Sequence, residues 1–159
     1  MKKWIRFFVA FTLIFALIGC KKNYSEESSN YKNFCYISVE CKTIINNKNN
    51  LDKNLLDYIP KDGIIMSKRK VGFSKKETVY DVLRRELKKE NILMEASFTG
   101  GSAYVEGINN FYEFSCGNDS GWMYSVNKKF PNVSCSDYYL EDGDNVEWRY
   151  TCALGEDLK

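Results

Sequence analysis

The chain has 159 residues, with 23 Lys and Arg against 21 Asp and Glu, six Cys and no His. Without histidine, triads that use an imidazole base are excluded, and zinc sites of the Cys/His type with them. Aromatic residues make up 15% of the chain while only two prolines are present, a balance that favours sheet over helix.

The first element is a leader. Lys2, Lys3 and Arg6 form a positive start, residues 7–18 are apolar apart from Thr12, and Leu17-Ile18-Gly19-Cys20 closes the run. That ending resembles the lipobox of bacterial lipoproteins, so residues 1–19 read as a signal peptide and Cys20 as the lipidated residue. An ordinary signal peptide with a chance cysteine, or an N-terminal anchor helix, is the competing reading. The apolar run is short for a membrane span, which needs about 20 residues. Two acyl chains on Cys20 would hold the protein at a membrane surface, each buried CH₂ contributing about 0.8 kcal/mol. The expected location is therefore extracytoplasmic, anchored to the cell membrane by lipid. Removing the leader takes three positive charges and moves the formal balance from +2 to −1. No basic stripe survives, so nucleic acid is not an expected partner.

Residues 20–33 are polar and aperiodic and read as a lipidated tether. A single domain then spans 34–155, with 156–159 as a tail. In Cys35-Tyr-Ile-Ser-Val-Glu-Cys41, alternate residues share a face, which predicts a half-buried strand. Residues 51–58 carry Leu51, Leu55 and Leu56 at helical spacing, and Pro60-Lys61-Asp62-Gly63 predicts a turn. A second strand is expected at 69–74.

The strongest helix prediction covers about 78–90. Thr78 can cap it, Asp81 completes a capping box, and Val79, Val82, Leu83 and Leu87 form one apolar stripe. Arg84, Arg85, Lys88 and Lys89 suit the C-terminal end of the helix dipole. They could be a binding patch, although a solvated face fits better. Strands are predicted at 92–98, 103–105, 110–116, 122–126 and 145–152, with a flexible loop at 99–102. The Glu141-Asp142-Gly143-Asp144 cluster reads as a turn; it lacks the spacing of an EF-hand calcium loop.

Two strands, one helix and several further strands predict an α+β fold: a β-grasp-like mixed sheet of five or six strands on one main helix. In that topology the first and last strands are parallel neighbours. Cys41 and Cys152 would then end adjacent strands and pair, and Cys116 with Cys135 would form a second disulfide across a hairpin, leaving Cys35 free. The second bridge would stabilise by roughly 3 kcal/mol in the chain-entropy model. Zinc is the competing reading of the cysteines, but no CxxC spacing supports it. No phosphate loop, metal motif or singled-out carboxylate pair appears, so neither a catalytic residue nor a metal is assigned and an enzyme is not expected.

Three stretches carry a family resemblance. They are Val-Glu-Gly-Ile-Asn at 105–109, Ser-Gly-Trp-Met-Tyr-Ser-Val-Asn at 120–127 and Asp-Gly-Asp-Asn-Val-Glu-Trp-Arg-Tyr at 142–150. Together they resemble the transcobalamin C-terminal-like domain of many bacterial lipoproteins, over about residues 35–155. The resemblance implies a β-grasp domain that binds a small ligand, with cobalamin or another corrinoid as the ligand class and no resident cofactor. In the vertebrate cobalamin carriers the stretch matching 121–124 lies against the corrin ring. Carried over, it makes Trp122, Met123 and Tyr124, flanked by Ser120 and Gly121, the candidate contacts. Tyr104, Phe111 and Tyr112 could form the rim of a pocket, or belong to a mobile surface hairpin. Trp122 and Tyr124 alternate with Val126 and could equally be core; Trp148 and Tyr150 read as core, and Met123 and Ser125 should be the more accessible.

Two departures stand out. The family commonly has Asn-Gly where this chain has Asn127-Lys128, which makes a type I′ turn costlier or changes its type. The carriers also close their site with a helical domain for which this chain has no room. Beyond membrane lipid, the expected partner is therefore a membrane transporter or a second ligand-binding protein, with the chain itself a monomer. The alternative function is a structural or adhesive surface domain that recognises protein or glycan.

Overall fold

The computed structural model describes residues 31–159, so Cys20, the leader and most of the tether lie outside the described residues. Strand β1 (Asn33–Glu40) opens the fold. Its alternation works as read: Cys35, Ile37 and Val39 are fully buried, as is Cys41 just beyond it, while Tyr36 between them is exposed. After it come a short helix α1 (Lys42–Asn46), two 3-10 turns and strand β2 (Ile64–Phe73). The second 3-10 turn, Lys53–Tyr58, stands where helical spacing was read; Asp52 caps it by accepting from the Asn54 N–H at 3.0 Å.

Helix α2 (Val79–Lys89) carries the predicted stripe: Val79, Val82, Leu83 and Leu87 are fully buried. Its capping box is complete. Thr78 Oγ1 accepts from the Asp81 N–H at 3.2 Å, and Asp81 Oδ2 accepts from the Thr78 N–H at 3.0 Å. The basic face is less solvated than the pattern suggests. Arg85 donates to the Gly72 carbonyl at 2.6 Å and pairs with Glu77 and Glu86, riveting the helix to β2. Glu86 is itself buried and is held by Arg85 at 3.1 Å and Lys89 at 3.3 Å.

Strands β3 (Met94–Thr99), β4 (Ser102–Ile108), β5 (Phe111–Tyr112), β6 (Gly121–Val126) and β7 (Asn145–Thr151) follow. The architecture is α+β, with few helices and mixed strands. The strands divide into a four-stranded sheet ordered β2-β1-β7-β6 and a three-stranded sheet ordered β3-β4-β5. The first and last strands are parallel neighbours, with Ile37 opposite Val146 and Val39 opposite Trp148.

The division into two sheets has a local cause. The strand expected over 110–116 stops after Tyr112, because Phe114 and Gly117 take positive φ in a tight loop. Side chains replace the ladder that would have joined β5 to the other sheet. Trp122 Nε1 donates to the Phe111 carbonyl at 2.7 Å, and Tyr150 Oη donates to the Tyr112 carbonyl at 2.6 Å. Both bonds are well formed and sheltered, so they hold the sheets where backbone pairing does not.

Residues on either side of 34–155 also pack on the fold. Tyr31 lies over Gly72, where any Cβ would meet its ring at 2.4 Å, and it also stacks under Arg85. At the other end Glu156–Leu158 form a 3-10 turn whose Leu158 is buried, and the Leu158 carbonyl accepts from Arg149 at 2.9 Å. Among the described residues no helix is long and apolar enough to cross a membrane.

Candidate ligand site between the two sheets

Strand β6 is the edge of the four-stranded sheet, and β4 of the other sheet passes beside it. Beyond β6 the chain reverses at Asn127-Lys128. Both residues take positive φ, 52° and 66°, and Val126 and Lys129 exchange two backbone hydrogen bonds of 2.8 and 3.0 Å. The turn therefore keeps the type I′ form even with lysine in the second place.

The following segment folds across the gap to β4. Ser134 Oγ donates to the Ala103 carbonyl at 2.7 Å, and the Ala103 N–H donates to Ser136 Oγ at 2.8 Å. Tyr124 Oη donates to the Val133 carbonyl at 2.8 Å. These bonds close one end of a cavity of about 220 Å³, whose walls include Tyr104, Trp122, Met123, Tyr124, Phe130 and Trp148.

The walls are of two kinds. Trp122 and Trp148 are buried foundations. Trp122 meets Tyr150 edge to face at 5.3 Å, and Trp148 is stacked by Tyr124 at 5.4 Å. Tyr104, Phe130 and Val133 are the exposed rim. Trp148 Nε1 is buried and has no hydrogen-bond partner among the described residues. A buried donor without an acceptor costs about 1–3 kcal/mol.

The residues singled out from the sequence fall on both sides of this geometry. Tyr104, Trp122, Met123 and Tyr124 line the cavity together. Phe111 is fully buried in the core, where its ring meets Tyr150. Ser120 is buried too, donating to the Gly117 carbonyl at 2.7 Å and accepting from the Cys116 N–H at 3.0 Å. Tyr112 and Gly121 are partly buried outside the cavity wall. Met123 packs against Gly155, and Ser125 is fully buried rather than accessible. Phe130, Val133 and Trp148 were not among the candidates. Nothing periodic marks the 128–136 segment, and only its hydrogen bonds to Ala103 bring it over the strand.

The electrostatics do not favour nucleophilic chemistry. Burial pushes the thiols of Cys35, Cys41 and Cys152 up to about 12 and that of Cys135 up to about 11, so these thiols stay protonated at neutral pH. Desolvation, and then its bond to Glu113, push the Tyr104 hydroxyl up to about 12. That hydroxyl donates to Glu113 Oε2 at 2.7 Å, which fixes the ring at the rim. In the 141–144 turn, Asp142 accepts from the Phe34 N–H at 2.7 Å, and Asp144 from Asn127 at 2.8 Å and the Glu141 N–H at 2.9 Å. Those carboxylates serve the turn, and no cluster of metal-ligating side chains occurs among the described residues.

All five described cysteines are free. The pairing of Cys41 with Cys152 fails on register. Glu40 lies opposite Arg149, so Cys41 falls level with Tyr150, two residues short of Cys152. Two residues are about 7 Å along a strand, and with the spacing between strands the Cα atoms exceed the reach of a disulfide. The pairing of Cys116 with Cys135 fails because the two are differently placed. Cys116 Sγ points at the Asn47 carbonyl beside α1, whereas Cys135 packs on Ala103 and its carbonyl caps α2 through the Tyr80 N–H.

A second, more open cavity of about 780 Å³ lies between the C-terminal half of α2 and strand β3, with Arg84, Lys88, Leu93, Met94 and Glu106 in its walls. Two of the basic residues read from the helix thus border a groove, which Glu95 and Glu106 line as well.

Comparison with known proteins places the fold. A family model described as "Domain of unknown function (DUF4430)" matches residues 76–152. Among solved structures, haptocorrin in complex with Cbi aligns with a TM-score of 0.52 at 12% identity, over 79% of this chain and 27% of that one. The fold is therefore shared with that part of haptocorrin, which supports a transcobalamin C-terminal-like fold. The chain spans only about a quarter of the haptocorrin chain. A protein from Ruminococcus gnavus ATCC 29149, described as a candidate metal binder, aligns with a TM-score of 0.44 at 13% identity, over 76% of this chain and 97% of that one. No curated protein matches the sequence.

Proposed function

We propose that this domain is a non-catalytic module that binds a flat, largely apolar small molecule at the seam between its sheets, with corrinoids as the ligand class. The observation that carries the reading is the aromatic cavity itself: an exposed rim of Tyr104 and Phe130 over the buried pair Trp122 and Trp148. The fold shared with haptocorrin supports the corrinoid class. At about 220 Å³ the cavity is below the 300–1,000 Å³ usual for small-molecule sites, so it would grip one edge and leave a face open. A second protein, such as a membrane transporter, would cover that face, and lipid on Cys20 would hold the domain near it at a raised local concentration.

The test is titration with cobinamide and with cobalamin, followed by absorbance and by quenching of tryptophan fluorescence. Saturable binding is expected, weakened about tenfold or more by Tyr104→Ala or Phe130→Ala and unchanged by Lys88→Ala in the other groove. No spectral change up to about millimolar corrinoid would remove the corrinoid reading, and equal effects of all three substitutions would remove the site.

A further inference from the structure

Cys116 and Cys152 were each read as half of a different disulfide, and the structure puts them together instead. Cys116 sits in the loop between β5 and β6, and Cys152 directly follows β7. A chain of hydrogen bonds brings Cys116 beside Tyr150, two residues before Cys152. The Cys116 N–H donates to Ser120 Oγ at 3.0 Å, and Tyr150 Oη donates to that same oxygen at 3.0 Å. From α1, Thr43 Oγ1 donates to the Tyr150 carbonyl at 2.5 Å, while Cys116 Sγ donates to the Asn47 carbonyl at 3.4 Å. Asn47 in turn donates to the Thr43 carbonyl at 2.8 Å. The two thiols are close enough inside this ring for each to perturb the other's ionisation.

We propose that Cys116 and Cys152 form a disulfide once the chain meets a disulfide donor, tying the loop of the three-stranded sheet to the last strand of the four-stranded one. Among the described residues the other thiols are placed elsewhere: Cys35 lies on β1, Cys41 just beyond it, and Cys135 packs on Ala103. Cys152 is partly exposed whereas Cys116 is buried, so Cys152 meets the donor first. Its thiolate attacks one sulfur of the donor disulfide, and the donor's other sulfur leaves as a thiolate. The Cys116 thiolate then attacks Cys152 Sγ and displaces the rest of the donor. Two thiols lose two protons and two electrons, and the donor disulfide becomes two thiols. Burial raises the pKa of both thiols, so uncatalysed exchange is slow and a protein oxidoreductase is the suitable donor.

The link lies at the opposite end of β6 from the closing segment 128–136, so it would fix the seam that forms the cavity. It stands independently of whether a ligand binds there. The bridge closes a loop of roughly 36 residues, which raises the melting temperature by on the order of 10 °C in the chain-entropy model.

The experiment takes the full chain purified without reductant, blocks free thiols, digests it and maps linked peptides by mass spectrometry. It then melts the protein with and without reductant. The expected result is one linked pair joining the peptides of Cys116 and Cys152, and a melting temperature that falls on reduction. Cys152→Ser should melt like the reduced protein in both conditions, while Cys35→Ser should keep the fall. Should Cys116→Ser fail to fold, Cys152→Ser carries the test, since its side chain is partly exposed. Both cysteines blocked as free thiols after treatment with a disulfide donor would overturn the proposal. So would either of them linked to a different cysteine, or a fall on reduction that persists in Cys152→Ser.

Discussion

On β1 of the four-stranded sheet Cys35, Ile37 and Val39 are wholly shielded from solvent, and each faces a buried partner on β2 or β7. On β3 of the three-stranded sheet no residue is buried, and Phe98, at 57% exposure, meets Tyr80 of α2 edge to face. The first sheet is clamped by a parallel pair at its centre and by Arg85 fastening the helix to its edge. The second hangs from it largely by side chains, chiefly Trp122 and Tyr150 bonded to the carbonyls of β5. The difference teaches where rigidity ends. The aromatic cavity lies on the boundary, with buried walls from the first sheet and an exposed rim from β4 of the second and the closing segment 128–136.

The largest effect should come from cutting that boundary. Trp122→Ala removes a buried indole, its contact with Tyr150 and its bond to Phe111. It should cost about 3–5 kcal/mol. Tyr104→Ala, on the rim of the same cavity, should change stability by no more than about 0.5 kcal/mol. Urea melts of the two variants separate the roles. If Trp122→Ala unfolds at the same urea concentration as Tyr104→Ala, the division into foundation and rim is wrong. The contrast also means that a binding defect in Trp122→Ala would say little about ligand contact.

The parts visible in the sequence are those where one periodicity acts alone. The β1 alternation, the capping box of Thr78 and Asp81 and the stripe from Val79 to Leu87 each place a buried face without outside help. The parallel pairing of β1 with β7 followed from the order of elements. What was not legible depends on side chains meeting across space. Arg85 looks like one more helix-surface cation until Gly72 and Glu77 close around it. Ser125 alternates onto the face expected to be open and is covered instead. Phe111 and Tyr112 sit in a run long enough for a strand, but the loop through Phe114 and Gly117 stops it. The cavity was half legible: the block 120–127 pointed to Trp122, Met123 and Tyr124, whereas Phe130 and Val133 arrive on a segment with no pattern.

Alkaline pH should weaken the four-stranded side next. Cys35 and Cys41 at β1 and Tyr150 on β7 all have their ionisation pushed up to about 12 by burial. A raised value in the folded state means that the folded protein holds the proton more tightly than the unfolded chain. The stabilisation is therefore complete below the unfolded values, 9.0 for the thiols and 10.0 for tyrosine, and is lost as pH rises from there towards about 12. Urea midpoints should be flat from neutral pH to about 9 and fall beyond it. Cys35→Val, which removes one of these groups from β1, should reduce the slope. A midpoint at about pH 11 equal to that at pH 8 would show that burial does not hold these protons.

The smallest effect is a gain, and it concerns the hairpin that begins the closing segment. Lys128 has φ of 66°, where a Cβ is costly, yet Val126 and Lys129 still make both bonds of a two-residue turn. The turn survives because Asn127 anchors it from the side. Asn127 donates to Asp144 Oδ1 at 2.8 Å and accepts from the Asn145 N–H at 3.0 Å, fixing the first turn residue against the start of β7. Lys128→Gly should relieve the strain at the second and stabilise by about 0.5–1 kcal/mol, part of the relief being offset by the extra freedom of glycine in the unfolded chain. Asn127→Gly should destabilise, although glycine suits the same φ, because both side-chain bonds are lost. Opposite signs at neighbouring positions of one turn would place its stability in the Asn127 anchor. If both variants were stabilised, backbone strain alone would govern the hairpin, and the tie from β6 across to β7 would count for little.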